Sequence, residues 1–82
     1  MTIIVSQSDN ELASSGVEAF VQGNSLGKIG RGGSASTEIP DTDQCEVIIT
    51  CGLFRRRMVI TGDANYVVSW SIHPPDMVVT RK

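Results

Sequence analysis

The sequence predicts an all-β fold, a small antiparallel β-sandwich of roughly seven or eight short strands. Glycine or proline recurs about every ten residues, and β-branched side chains crowd the stretches between them. Apolar and polar residues alternate along these stretches, as expected for strands that bury one face. No stretch of about twelve residues has convincing helical periodicity. Two packed sheets are therefore favoured over a single curled barrel.

Length and composition predict one folded unit. The 82 residues are too few for two independent cores, so a single domain spanning 1–82 is predicted. Apolar residues make up 40% of the chain, which is too hydrophobic for a disordered protein. The formal net charge of -2 is too weak to steer polyanions, so any nucleic-acid binding would need a local basic patch.

The first half of the chain is predicted to contain a series of short strands. These strands are Thr2–Gln7, Val17–Gln22, Ser25–Ile29 and Ser34–Ile39. Gly23-Asn24 offers the positive φ angles of a tight hairpin turn. The stretch before Pro40 is polar, which predicts an edge strand. Asp9–Ser15 is the best helix candidate, but it is short and is interpreted as a loop.

The second half is predicted to contain the strands Cys45–Cys51, Arg57–Thr61, Tyr66–Ile72 and Met77–Arg81. Cys45–Cys51 is the richest in β-branched side chains and is predicted to be central. Alternation turns one set of its side chains inward, namely Cys45, Val47, Ile49 and Cys51. Gly62-Asp63-Ala64-Asn65 is typical of a hairpin loop, so its flanking strands are predicted to pair. Pro74-Pro75 precedes a last strand that closes one edge.

The two cysteines are predicted to be reduced, buried thiols. Cys45 and Cys51 would lie about 20 Å apart in one strand, too far for a disulfide. With His73, the only histidine, they could supply three zinc ligands. No paired, closely spaced ligand motif supports such a site, so the sequence predicts no metal site and no cofactor.

The most unusual segment is Gly52–Arg57, in which three consecutive arginines follow Leu53 and Phe54. Interpreted as a loop, it is the candidate binding site. Guanidinium groups bind carboxylate or phosphate oxygens bidentately, and a phenyl ring can anchor a protein or stack on a base. The candidate binding residues are Phe54, Arg55, Arg56 and Arg57.

Alternation divides these arginines if the segment is extended. Arg55 and Arg57 would then share one face and act together. Arg56 would point away and pair with Glu38 or Glu46. A structural alternative stays open, in which the two apolar side chains before the arginines plug one end of the core.

Other motifs are interpreted as structural. The glycine-rich stretch 27–34 lacks the following helix of a phosphate-binding loop. Tyr66 and Trp70 lie on one strand face and are predicted to pack in the core, with an exposed aromatic strip as the alternative. No serine has a nucleophile-elbow context, and no set of acid, base and nucleophile appears. The sequence therefore predicts no enzymatic activity.

The middle of the chain resembles small bacterial β-domains of the PEGA-like type. Val17–Gly27 matches a strand that ends in a short hairpin, Gly30–Pro40 a glycine corner with a strand ending at proline, and Glu46–Cys51 the strand that follows. Gln22-Gly23-Asn24 replaces the usual Asp-Gly pair. The resemblance implies a β-sandwich that holds partners as a surface or regulatory appendage, and it implies no catalytic residue.

Three classes of function remain open. The favoured one is a non-enzymatic protein-interaction module, which includes a bacterial or phage-borne inhibitor that occludes a host protein. The second is self-assembly through an edge strand, either Ser34–Ile39 or Met77–Arg81. Nucleic-acid binding is disfavoured by the net charge. The sequence contains no membrane-spanning apolar run and no secretory signal, which favours the cytoplasm.

Overall fold

A computed structural model describes residues 1–9 and 16–82. Within this part the chain forms eight β-strands. They are β1 (Thr2–Gln7), β2 (Val17–Val21), β3 (Asn24–Ile29), β4 (Ser34–Glu38), β5 (Cys45–Cys51), β6 (Phe54–Ile60), β7 (Ala64–Ile72) and β8 (Pro75–Arg81). No helix in this part is long and apolar enough to cross a membrane. The loop interpretation of Asp9–Ser15 lies, except for Asp9, outside the described residues.

The strands form two sheets of four. The first sheet has the order β4-β1-β7-β8, and the second has the order β3-β2-β5-β6. Their inner faces share one core, so the predicted β-sandwich is confirmed. The prediction that β4 and β8 lie at sheet edges is also confirmed. The wholly antiparallel arrangement needs one correction, because β1 and β7 run parallel.

Strict alternation produces the core. β1, β2 and β5 each bury every second side chain while the intervening ones stay partly exposed. On β5 the inward set is Cys45, Val47 and Ile49, all fully buried, followed by the partly buried Cys51, as predicted. Each buried Val or Ile side chain contributes about 1.5–3 kcal/mol relative to exposure.

The turn between β2 and β3 lies one residue earlier than predicted. Gln22 and Gly23 have φ angles of 51° and 82°, and two positive angles define a type I′ turn. Asn24 already belongs to β3. The Gln22 side chain explains how a non-glycine residue holds this conformation. Its amide donates to the Gln44 carbonyl at 3.3 Å and accepts from the Glu46 N–H at 3.1 Å.

The predicted pairing of the strands around Gly62–Asn65 is wrong. β6 belongs to the second sheet and β7 to the first, so residues 61–63 cross between the sheets. Asp63 anchors this crossing. Its carboxylate accepts a hydrogen bond from the Thr2 N–H at 2.7 Å, and its carbonyl accepts one from Arg81 at 3.0 Å. Alternation indicates which face of a strand is buried but not which sheet the strand joins.

Gln7 connects the two sheets through hydrogen bonds. It is 3% exposed and is the only buried polar residue in the described part of the chain. Its Nε2 donates to the Ile29 carbonyl of β3, and its Oε1 accepts from Trp70 Nε1 of β7, both at 2.9 Å. Because β1 and β7 lie in one sheet and β3 in the other, one side chain fixes their relative position.

Replacement of Gln7 by Ala should lower the free energy of unfolding by about 2 kcal/mol, because it leaves a carbonyl and an indole N–H without partners. Urea denaturation measures this change. The exposed glutamine variant Gln44→Ala is the matched control and should change the value by less than about 0.5 kcal/mol. Equal losses in both variants would contradict the structural role of Gln7.

Candidate functional site

The candidate binding segment is a strand rather than the predicted loop. Gly52 and Leu53 alone form the turn after β5, and Phe54 already pairs with Cys51 as the first residue of β6. Gly52 has a φ of 59°, the positive angle that a type II′ turn requires at its first central position. The three arginines therefore lie on an edge strand of the second sheet.

β6 places the arginines on two faces, as alternation predicted. Arg55 and Arg57 are exposed on the outer face, whereas Arg56 is partly buried at the open side of the sandwich. The predicted sharing of a face by Arg55 and Arg57 is confirmed. The side chain of Arg55 forms no hydrogen bond or ion pair with a described residue, whereas that of Arg57 forms an ion pair.

Arg57, rather than Arg56, pairs with Glu46. Its Nε lies 2.6 Å from Glu46 Oε2 across the β5–β6 ladder. Glu38, the other predicted partner, lies on β4 and accepts a hydrogen bond from the Thr2 hydroxyl. An exposed ion pair of this kind contributes about 0.2–1 kcal/mol. It places a carboxylate directly beside the charge that Arg57 would offer a ligand.

Arg56 links the edge strands of the two sheets. Its guanidinium donates to Asp76 Oδ1 at 2.5 Å and to the Met77 carbonyl at 3.1 Å, both on β8. It also donates to the Arg55 carbonyl at 3.0 Å. The side chains of Arg56 and Asp76 are 39% and 41% exposed, so solvent weakens the pair. Arg56 is thus engaged in structural contacts and is not presented to a ligand.

The two apolar residues before the arginines differ in burial. Phe54 packs edge-to-face against Trp70, with ring centroids 5.5 Å apart and an interplanar angle of 77°. Leu53, at the tip of the turn, is fully exposed. The prediction that both residues plug the core is therefore confirmed for Phe54 and wrong for Leu53.

A second exposed aliphatic residue, Ile72, is the last residue of β7. The contact between Phe54 and Trp70 brings the β5–β6 turn beside the end of β7, where Ile72 is 56% exposed. We call the exposed side chains of Leu53 and Ile72 the hairpin-tip surface; the packed rings of Phe54 and Trp70 connect the two segments that carry it. The sequence pattern does not distinguish Ile72 from a core residue, because Ile72 continues the inward alternation of β7.

The aromatic residues of β7 fulfil the core-packing prediction to different degrees. Tyr66 is buried, whereas Trp70 is partly buried at the end of the core. The indole N–H of Trp70 is satisfied by Gln7, so the ring has a fixed orientation. Trp70 therefore supports the hairpin-tip surface from below.

The two thiols lie at opposite ends of β5 and form no disulfide with each other. Burial raises the pKa of Cys45, an effect that the nearby N-terminal ammonium partly offsets. Cys51 is partly buried, and its thiol lies 3.5 Å from the Gly16 carbonyl. Within residues 1–9 and 16–82, no three His, Cys, Asp or Glu side chains are grouped so that they could hold a metal ion.

Comparison with protein-family models, with curated proteins and with solved structures found no match to this chain. The PEGA-like resemblance therefore stays a prediction that depends on turn patterns.

The two thiols should react with a thiol-specific disulfide reagent at very different rates. The thiolate is the reactive species, and Cys45 is both inaccessible and held protonated by its raised pKa. We expect Cys45 to react at least about a hundredfold more slowly than Cys51, because its reaction requires opening of the core. Single-thiol variants Cys45→Ala and Cys51→Ser assign the two phases. Equal rates in native protein, with fast reaction of both thiols in urea, would contradict the burial of Cys45.

Proposed function

We propose that this domain is a non-enzymatic protein-interaction module that contacts its partner through the hairpin-tip surface. The observation that carries the proposal is the position of Leu53, a large aliphatic side chain that is fully exposed at the tip of a two-residue turn. Ile72 adds apolar area at the same end. Such side chains contribute nothing to the core, and exposed apolar clusters commonly mark binding sites.

The surface is supported rigidly from beneath. The packing of Phe54 on Trp70 connects the start of β6 to the end of β7. The ion pair between Arg56 and Asp76 connects β6 to β8. A preorganised surface loses little conformational entropy when a partner binds. Three predicted site residues therefore have separate roles: Phe54 and Arg56 support the surface, while Arg55 can contact the partner.

The charges beside the surface indicate the chemistry of the partner. Arg55 is exposed two residues after Leu53, and its side chain has no ionic partner among the described residues. A carboxylate on the partner could bind this guanidinium bidentately. We therefore propose a protein partner that offers an apolar pocket for Leu53 with an Asp or Glu at its rim.

Nucleic-acid binding is the less favoured proposal. Two of the three arginines are engaged, Arg56 with Asp76 and Arg57 with Glu46. Phosphate binding depends on several cations acting together, and the net charge of the chain is -2. The two thiols, which form no disulfide with each other, support the expectation of a reducing compartment such as the cytoplasm.

Leu53→Ser should weaken binding to the partner without changing stability, because the fully exposed side chain makes no packing contacts within the domain. The test is affinity capture from nuclease-treated lysate, followed by calorimetry with the captured protein. We expect Leu53→Ser to weaken the affinity by about thirtyfold or more, as at an interface hot spot. Arg55→Glu should also weaken it, because the charge reversal would oppose an acidic rim.

Val59→Ser is the matched control. Val59 is a 49% exposed aliphatic residue near the far end of β6, so its replacement removes exposed apolar area away from the tip. This variant should bind like the wild type. The proposal fails if Leu53→Ser binds normally, or if Val59→Ser loses as much affinity as Leu53→Ser. Loss of the captured species on nuclease treatment would instead indicate a nucleic-acid ligand.

A further inference from the structure

The edge strands of this sandwich differ in how their outward backbone groups are used. β4 and β8 bound the first sheet, and β3 and β6 bound the second. An edge strand presents unpaired N–H and C=O groups on which another strand can add. Proteins commonly block such edges with charged side chains, proline or β-bulges. The four edge strands differ in which of these features they carry.

β8 and β6 are blocked by the same ion pair. The Met77 N–H donates to Asp76 Oδ1 at 2.9 Å, and the Met77 carbonyl accepts from Arg56. Both backbone groups of one strand residue point to the same side, so the outward position at Met77 is occupied. Pro75 has no N–H to offer. On β6, the Arg55 carbonyl accepts from Arg56.

β3 is blocked by a bulge. Its register against β2 shifts between Glu18 and Phe20, and Gly27 within the shifted region has a φ of 87°. The Gly27 N–H is taken up by the Ser25 hydroxyl at 3.0 Å. A bulge breaks the regular spacing of the outward groups, so a second strand cannot pair along the whole edge.

β4 carries one charged side chain, Glu38, and ends shortly before Pro40, but it has no bulge and no described side chain bonded to its outward backbone groups. The Gly33 carbonyl accepts from the Gln7 N–H, and the Ile39 N–H donates to Met1, so the backbone groups at these two positions face β1. Alternation then points the N–H and C=O groups of Ser34, Ser36 and Glu38 toward the edge. No described residue hydrogen-bonds with these outward groups, and the three side chains are exposed.

We propose that β4 is a self-association site that pairs antiparallel with β4 of a second copy about a two-fold axis through Ser36. In this register Ser36 meets Ser36 of the second copy, and Ser34 meets its Glu38. A hydroxyl therefore faces each carboxylate, and no like charges oppose one another. Ala35 and Thr37 meet on the other face, where their small side chains cause no clash. This self-complementarity favours a second copy over an unrelated strand.

Sedimentation equilibrium over a wide range of protein concentration tests the proposal. The wild-type mass should rise from 8.8 kDa toward twice that value. Only five residues pair from each copy, so the association is expected to be weak. Ser36→Lys places two ammonium groups opposite each other on the axis, so its association constant should fall about fivefold or more.

Ser34→Lys is the matched variant. It adds the same charge to the same exposed strand, but in the proposed register the new ammonium faces Glu38 of the second copy. Its association constant should therefore rise about fivefold. Both variants should unfold at the wild-type urea concentration, because both replaced side chains are exposed.

Two results with the wild type and the lysine variants would overturn the proposal. One is a wild-type mass of 8.8 kDa at every concentration. The other is a shift of the association constant in the same direction by both lysine variants, which would reflect net charge and not this register. Leu53→Ser should leave the association constant unchanged. Loss of the dimer in that variant would place self-association at the hairpin-tip surface and overturn the assignment to β4.

Discussion

The sandwich depends on the packing of two inner faces, each made by alternate side chains of four strands. Apolar packing is strong but has no preferred direction, so it does not by itself fix how one sheet lies on the other. Two polar contacts supply direction. Gln7 joins β1 and β7 to β3 within the core, and the ion pair between Arg56 and Asp76 joins β6 to β8 at the opposite side. The remaining surface features follow from this arrangement.

The arginine run shows how a local pattern acquires its role from tertiary structure. Three consecutive cations in a loop would form one recognition patch, but a strand separates them by face. Arg56 is directed to the neighbouring edge strand, where Asp76 and the Met77 carbonyl receive it. Arg57 meets Glu46 because the β5–β6 register sets them diagonally across the ladder. Arg55 is left to interact outside the chain.

Much of the fold could be predicted from the sequence. The bounds of β1 and β5 match the prediction, because both are runs rich in β-branched residues that end before Ser8 and Gly52. The pairing of β7 could not be predicted. A four-residue glycine-containing loop is typical of a hairpin. Here the chain crosses to the other sheet, and the Asp63 carboxylate accepts a hydrogen bond from the Thr2 N–H of β1. Nothing in the sequence of the loop indicates this distant donor.

The site was less predictable than the fold for a related physical reason. Leu53 and Phe54 are adjacent apolar residues that differ in burial. The type II′ turn places Leu53 at the tip and Phe54 in the first residue pair of the β5–β6 ladder. Ile72 looks like a core residue because it obeys the alternation of β7. It is exposed because the sheet extends beyond the end of the core. No local sequence pattern indicates where the core ends.

The geometry of β4 pairing bears on how the two proposed surfaces would work together. Antiparallel pairing reverses the long axis of the second copy, so the two hairpin-tip surfaces would lie at opposite ends of the dimer. Such a dimer could hold two separate partner molecules, but it could not place both tips on adjacent sites of one flat partner. No hairpin-tip residue lies on β4, so pairing would leave both tips accessible. Self-association would therefore change the number of binding sites and leave the affinity of each site unchanged.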